Sequence, residues 1–384
     1  MKINLFDLPQ NKYFIGLNKE FNELLMKNLK ITFSPLYRNS NRVLGISDSN
    51  LYSLYRRRQY QLSLFGRIID ILKIDPYIAQ KNVIYIKNYG TSKIAKPKFP
   101  IKLSKSLARI IAHLLGDGHL GSKNNKTIKG GYYNQEKILR ESFKEDLSKI
   151  FKVKNIQERI NKTTPFVLIP SSASWILFQI IRDYNSYTAR VPKFIKESTK
   201  PIKKEFIMAF LDDEAHVRYA PPNRNIEITL SNSLLLEDVK ELLREFNVGL
   251  SKTYHKKIRG FNVYYFFIKN YHNIKRYHDT IGCLHPKKRF KLLQIIKNPG
   301  RKSYAKNETE DRILHLLKKG LKTSNEISKE LNRKLPNTNI FLNRLNKKDI
   351  IEKVGFKKLS KGNREVIWGI MKIKNGRTHI KRKT

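Results

Sequence analysis

One cysteine in 384 residues, Cys283, is too few for a disulfide framework or a cysteine-based zinc site. No apolar run approaches the ~18 residues a membrane-spanning helix needs, and the N-terminus has no apolar stretch of signal-peptide type. These absences point to a cytoplasmic protein with no membrane partner. Acid is the scarce charge: 32 Asp and Glu stand against 78 Lys and Arg, for a net charge of +46. Solubility needs far less than that. The excess points to a polyanion, above all nucleic acid. Abundant Ile and Asn also fit an AT-rich coding sequence, which by itself raises the lysine count. The basic residues are spread along the chain: 17 against 6 acids in 1–100, 37 against 18 in 101–300, and 24 against 8 in 301–384. Each part could therefore touch phosphate.

Two short acidic segments stand out against this background. Residues 107–120 read LARIIAHLLGDGHL, and residues 206–217 read FIMAFLDDEAHV. Each is an apolar helical run ending in an acid, a small residue, a histidine and an aliphatic residue. The acids Asp117 and Glu214 are 214 − 117 = 97 positions apart. The segments after the two acids are also alike. In the first copy come strand-like His119–Ser122 and Gly131–Asn134, a helix at Gln135–Ile150, strands at Gln157–Ile160 and Phe166–Ile169, and a helix at Ala173–Tyr184. In the second come His216–Tyr219, Ile226–Ser231, Leu234–Phe246, Lys252–Lys256, Val263–Ile268 and His272–Ile281. The order is α-β-β-α-β-β-α twice, and Asn134 and Asn232 open the middle helix at an offset of 98. A period of that length marks an internal duplication. A duplicated helix that delivers a carboxylate from its end can bring two carboxylates together across a pseudo-twofold axis.

The flanks read differently. Residues 1–100 suggest a small helical, basic domain. Its helices are expected at Phe21–Lys30, Ser47–Arg58 and Ser63–Lys73, an arrangement similar to a helix-turn-helix or to an ordinary helical cap. Asn88–Pro100 reads as a linker. Residues 301–384 suggest a winged helix: helices at Thr309–Lys319, Thr323–Leu331 and Pro336–Lys347, then wing strands at Ile350–Val354 and Glu365–Met371. Thr323 and Glu326 have capping-box spacing. The tail Lys381-Arg-Lys383 reads as a solvated end able to add phosphate contacts.

The two motifs resemble those of the LAGLIDADG homing endonuclease family in its monomeric, two-repeat form. The nine-residue motif falls on Ile110–Gly118 and Ile207–Ala215, so the resemblance covers 101–200 and 201–300. It implies an α+β fold of tandem αββαββα repeats forming a pseudo-twofold, DNA-binding saddle. It makes Asp117 and Glu214 the catalytic, metal-binding acids and gives Ala112 and Ala209 the close helix–helix contact. Three features depart from the family pattern or complicate it. Ala215 replaces a glycine, which predicts a strained or shifted turn. His113 stands where an aliphatic residue is expected and reads as a core or helix-edge histidine. Asp212, Asp213 and Glu214 cannot share one helix face, so most of that cluster is expected at solvent or at the helix end. The family also has lysines after the last strand of each repeat; the candidates are Lys193 and Lys287. With Met1 at one end and Arg-Lys-Thr384 at the other, a free-standing protein is favoured over an intein.

The chemistry implied is hydrolysis of a phosphodiester with Mg²⁺ or Mn²⁺ held by Asp117 and Glu214. The expected partner is double-stranded DNA at a long asymmetric site, bound by a monomer associated with the nucleoid. Base and backbone contacts are expected from Lys123, Asn124, Asn125, Lys126 and Tyr133 in the first copy. In the second they are expected from Arg218, Tyr219, Arg224, Asn225 and Glu227. The C-terminal part would add Asn337, Asn339, Asn343 and Arg344 on its recognition helix, with Lys357, Lys358, Lys361 and Arg364 on its wing. Two other readings stay open: a DNA-binding regulator that no longer cleaves, and an RNA-binding splicing helper.

Overall fold

The protein is represented by a computed structural model that describes residues 1–33, 43–45, 56, 58–88, 93–123, 127–181, 186–220, 223–298, 308–358 and 364–371. Met1–Arg218, Asn225–Lys269 and Arg276–Leu292 form one compact unit; Tyr219–Arg224, Asn270–Lys275 and Leu293–Thr384 form a second. Among the described residues no helix is long and apolar enough to cross a membrane.

The N-terminal part is mixed rather than helical. Strands β1 (Lys2–Ile3), β2 (Phe14–Leu17), β3 (Gln59–Gln61), β4 (Val83–Lys87), β5 (Lys93–Ala95) and β6 (Ile101–Lys102) accompany helices α1 (Lys19–Thr32), α2 (Leu62–Ile71) and α3 (Pro76–Lys81). Four strands make an antiparallel sheet in the order β3-β2-β4-β5, and β1 pairs with β6. The expected helices at Phe21–Lys30 and Ser63–Lys73 are present; of Ser47–Arg58, only Arg56 and Arg58 lie among the described residues. Strands of two to five residues are too short for period-2 alternation to reveal. The described part of the expected linker, Asn88 and 93–100, is structured too. Lys93–Ala95 pairs with β4, and the Asn88 N–H donates to Ser172 Oγ at 3.3 Å. Tyr13 Oη donates to the Ser172 carbonyl at 3.0 Å. These bonds fasten the N-terminal sheet to the first repeat.

That repeat runs α4 (Lys105–Leu115), β7 (Gly118–Lys123), β8 (Thr127–Tyr133), α5 (Lys137–Phe151), β9 (Glu158–Asn161), β10 (Thr164–Ile169) and α6 (Ser171–Ile181). After a short α7 (Lys193–Lys196), the order recurs as α8 (Lys200–Glu214), β11 (Ala215–Ala220), β12 (Asn223–Leu230), α9 (Ser233–Glu245), β13 (Tyr254–Ile258), β14 (Phe261–Ile268) and α10 (Tyr271–Thr280), followed by α11 (Pro286–Lys297). Both sheets have the same topology, β7-β8-β10-β9 and β11-β12-β14-β13. Alternation sets their faces. Along β14, Phe266 and Ile268 are buried while Tyr265 and Phe267 are only half-buried. The β13–β14 hairpin turns on Arg259 and Gly260, both with positive φ (50° and 84°), the requirement of a two-residue I′ turn.

The second unit contains α12 (Glu308–Lys318), β15 (Lys322–Thr323), α13 (Ser324–Glu330), α14 (Leu335–Lys347), β16 (Ile351–Lys358) and β17 (Arg364–Ile370), with sheet order β15-β17-β16. Its core gathers Ile313, Leu317, Ile327, Leu331, Leu342, Leu345, Ile351 and Trp368. Thr323 and Glu326 form the expected capping box, and Trp368 Nε1 donates to Ser324 Oγ at 2.9 Å.

Candidate active site

Helices α4 and α8 pack against each other, with Ala112 and Ala209 buried. Small side chains let the backbones approach, and the helix ends leave little room. A Cβ on Gly116 would lie 3.0 Å from Asp213 Cβ, and one on Gly118 would lie 2.5 Å from Leu114 Cα. A side chain is therefore excluded after Asp117, at Gly118, and before it, at Gly116, would press on Asp213. At the matching point of α8, Ala215 has φ −83° and ψ 142°, ordinary extended backbone. The expected strain is absent because the chain leaves the helix straight into β11 without a left-handed turn.

Asp117 and Glu214 thus stand at the ends of the two packed helices. Burial pushes the Asp117 carboxyl up to about 6, reinforced by Asp213 and moderated by Lys288 and Asn134. Burial, then the charges of Asp117 and Asp213, push Glu214 up to about 8. Among the described residues the Glu214 carboxylate has no hydrogen-bond or ion-pair partner. It lines a cleft of about 440 Å³ with Gly116, His119, Ser231 and Asn232.

The three consecutive acids go three ways. All sit at the helix end, but solvent takes none of them fully. Asp212 accepts from the backbone N–H of Leu284 (2.9 Å) and His285 (3.1 Å). Asp213 faces His113 Nδ1 at 2.8 Å, and accepts from Tyr132 Oη at 2.7 Å and Asn134 Nδ2 at 3.3 Å. Asn134 Nδ2 also donates to Asp117 Oδ2 at 3.0 Å, joining this buried network to the acid of the first repeat. Asn232, its counterpart in the second repeat, instead donates to the Ala189 carbonyl. The two halves are not equivalent.

The expected lysines are elsewhere. The Lys193 side chain is 86% exposed and pairs with Glu197; that of Lys287 is 78% exposed and pairs with Glu136. Both sit at the start of a helix and point outward. The lysine that turns inward is the next one, half-buried Lys288. Its Nζ donates to the carbonyls of Leu211 (3.2 Å) and Asp213 (3.1 Å), capping the end of α8. Burial lowers its pKa, while the charges of Asp212, Asp213, Asp117 and Glu214 resist that. At the 98-residue offset the first repeat has Arg190, which is bound to Asp238 (Nε–Oδ2 2.7 Å). Sequence reasoning missed Lys288 because three basic residues adjoin in Lys287-Lys-Arg289, and only the helical turn decides which points inward.

Residues 201–282 match the family model of the LAGLIDADG-like domain. The second repeat is LAGLIDADG-like, and the first shares its sheet topology. Among curated proteins the chain is 26% identical to a replication factor C small subunit of Thermococcus kodakarensis, over 73% of this chain and 33% of that protein. It is 27% identical to the replication factor C small subunit of Methanocaldococcus jannaschii (54% and 11%), and 26% identical to the tRNA-splicing ligase RtcB of Methanopyrus kandleri (59% and 25%). The chain spans a third or less of the length of these relatives. Among solved structures, the homing endonuclease I-DmoI in complex with DNA and Ca is 15% identical, covers 50% of this chain and 98% of its own, and has a TM-score of 0.38. Full-length DUF199/WhiA is 13% identical (63% and 90%), with a TM-score of 0.35. At those scores neither likeness bears on function.

The candidate contact residues of the LAGLIDADG-like core lie on both repeats. Asn124, Asn125, Lys126 and Lys361 fall outside the described residues; Lys123 ends β7. The Tyr133 ring stacks on Phe166 at 4.8 Å, on the sheet face opposite buried Tyr132. Arg218 is ion-paired with Glu227, whose side chain is 9% exposed. Glu227 therefore reads as a holder of Arg218, and it does not face solvent. Tyr219 lies under the Arg224 guanidinium at 5.8 Å. Asn225 is buried, and its Oδ1 has no partner among the described residues. On α14, Asn337 and Asn343 are exposed and Asn339 is half-buried. Arg344 is half-exposed but pairs with Glu310 at 3.4 Å. Lys357, Lys358 and Arg364 are exposed at the hairpin end of β16 and β17.

Among the described residues no three His, Cys, Asp or Glu side chains form a ligand cluster. Asp117 and Glu214 offer two hard oxygen donors, one per repeat. Two carboxylates suit Mg²⁺, which keeps several waters and takes its remaining ligands from substrate phosphate; the donor set fits.

Proposed function

We propose that this chain is a sequence-specific double-strand DNA endonuclease that hydrolyses phosphodiesters with a divalent metal, acting as a monomer on a long asymmetric site. The observation that carries the reading is the arrival of one carboxylate from each repeat, Asp117 and Glu214, at the ends of two helices packed backbone to backbone. Asp117 and Glu214 would hold Mg²⁺ or Mn²⁺, which supplies charge neutralisation of the phosphate and a more acidic water. The chain's own residues do the rest. Asn134 fixes the Asp117 carboxylate. Lys288 sets a positive charge among four acids and limits their mutual repulsion. Non-identical repeats favour an asymmetric site over a palindrome.

The relatives support a self-contained module. A segment shared by a replication factor C subunit and an RtcB ligase, and making up a third or less of each, is not what those different names describe. Location at the nucleoid follows from the charge. The test is a Mg²⁺- or Mn²⁺-dependent cleavage assay on the DNA flanking the chain's own gene. Cleavage on both strands supports the reading. Tight binding of that DNA without metal, and no cleavage with it, gives a non-cleaving regulator instead; preference for RNA gives the splicing helper.

A further inference from the structure

The duplicated motif carries a histidine that the two acids do not account for. Asp117-Gly-His119 and Glu214-Ala-His216 place it two positions after each acid. Strand alternation keeps it off the buried face. Leu120 is buried on β7, and Ala215 and Val217 on β11, while His119 and His216 are exposed. Opposite His119 on β8 stands Gly131, which has no side chain. The His119 ring leans over Gly121, where a Cβ would lie 2.4 Å from Nε2. Two glycines thus leave room for this imidazole, and an exposed ring can turn between rotamers.

The two histidines have different surroundings. His216 stands among positive charges, those of Lys291, Arg218 and Lys288, with Glu227 opposing them. His119 lines the cleft of about 440 Å³ that Glu214 also lines. Among the described residues neither the His119 imidazole nor the Glu214 carboxylate has a hydrogen-bond or ion-pair partner. None of the described lining residues is a lysine or arginine, in a chain with 78 of them; Lys288 acts on Glu214 only from outside the lining. A half-buried carboxylate without a counter-ion is costly, and a neutral imidazole has a nitrogen lone pair to offer. The carboxylate comes from the second repeat and the imidazole from the first. The packing of α4 against α8 brings them to one cleft.

We propose that His119 and Glu214 are joint ligands of one divalent metal in this cleft, a mixed nitrogen–oxygen site that prefers a transition metal such as Co²⁺ to Mg²⁺. It rests on the endonuclease reading only in taking Glu214 as a metal ligand. Mg²⁺ takes hard oxygen donors, whereas imidazole favours the later first-row metals. Two protein donors leave the other positions to water and substrate phosphate. His216 is no counterpart, because the cations around it oppose a metal ion. The two acids therefore sit in half-sites of different metal preference, Asp117 with Asn134 and Glu214 with His119.

The test titrates Co²⁺ and Mg²⁺ calorimetrically into the full chain, without DNA, at mildly alkaline pH. The outer hydrogen-bond partner of a metal ligand is worth about 10–100-fold in affinity, and a ligand itself at least as much. His119→Ala should therefore weaken Co²⁺ binding at least about tenfold and Mg²⁺ binding by less than about threefold. His119→Asp puts an oxygen there and should raise Mg²⁺ affinity while narrowing the preference for Co²⁺. Glu214→Gln should lose the same Co²⁺ site, and adding His119→Ala to it should cost nothing further. His216→Ala should bind Co²⁺ like the parent. Co²⁺ affinity unchanged in His119→Ala, or lost equally in His216→Ala, overturns the mixed site, as does a parent that takes up no Co²⁺; cleavage by the parent with Mg²⁺ would still uphold the endonuclease reading. A parent that keeps the His119-dependent Co²⁺ site and cleaves no DNA with either metal upholds the site and removes the endonuclease reading.

Discussion

The carboxylate of Asp213 lies 2.8 Å from the imidazole of His113, and the two side chains are 0% and 2% exposed. Burial works against the imidazolium, but the charge and hydrogen bond of Asp213 outweigh it and raise the His113 pKa. The pair crosses from one repeat to the other directly behind the acids, with the Tyr132 ring packed 4.6 Å from His113. Removing one partner leaves buried polar groups unpaired. His113→Ala should cost ~2–4 kcal/mol and Tyr132→Phe about 1–3 kcal/mol, read by urea unfolding. A His113→Ala protein as stable as the parent would mean that this network does not tie the repeats together.

Asp117→Asn and Glu214→Gln keep shape and remove a charged oxygen ligand. A neutral amide binds Mg²⁺ poorly, so metal-dependent cleavage should fall by at least ~100-fold in either variant. DNA affinity should hold or rise, because one negative charge near the phosphates is gone. One variant is expected to nick where the parent breaks both strands. If both cleave like the parent, these acids serve only the helix ends.

The Glu214 carboxyl sits near 8 in the fold against about 4.5 ordinarily. The native state thus holds this proton more tightly than the unfolded chain does. Its contribution to stability is complete below pH ~4.5 and is lost as pH rises through about 8. Metal-free protein should therefore weaken from about pH 5 to about pH 9 by a few kcal/mol, on the order of one per pKa unit. Glu214→Gln should lose most of that dependence and melt above the parent at alkaline pH. Divalent metal should protect the parent and do little for the variant. Equal pH dependence in both would show that Glu214 is not held against its charge.

A methyl group at residue 118 has no room, since its Cβ would stand 2.5 Å from Leu114 Cα. Gly118→Ala should lower stability by ~2 kcal/mol or more. It should also lower cleavage more than binding, because a shifted β7 moves Asp117. Full cleavage by a folded Gly118→Ala protein would show that the acid tolerates that shift.

Deleting Arg301–Thr384 should leave metal-dependent cleavage at saturating enzyme and reduce DNA affinity. The removed part has its own core around Ile313, Leu342 and Trp368, and we take it as a winged helix that adds phosphate contacts. Binding and single-turnover cleavage on the same duplex separate the two effects. Loss of cleavage by a folded core would make the C-terminal part catalytic.

The sequence by itself determined the duplication, the order of elements in each copy, and which acids end the two motif helices. Those features are local: they come from helical and strand periodicity and from an offset of 97 to 98 residues. The capping box at Thr323 and the three C-terminal helices were legible for the same reason. Only the tertiary structure decided the direction of neighbouring side chains. Within Asp212-Asp-Glu214, one turn of helix sends one acid to the backbone of Leu284 and His285, one to His113 and Tyr132, and one to the cleft. Within Lys287-Lys288, a one-residue step separates an exposed side chain from a half-buried one that caps α8. The N-terminal sheet was not legible either, because its strands are three to five residues long and are held by partners up to 87 − 14 = 73 positions away. Pairing and burial at that range depend on what the rest of the chain brings alongside, which periodicity does not encode.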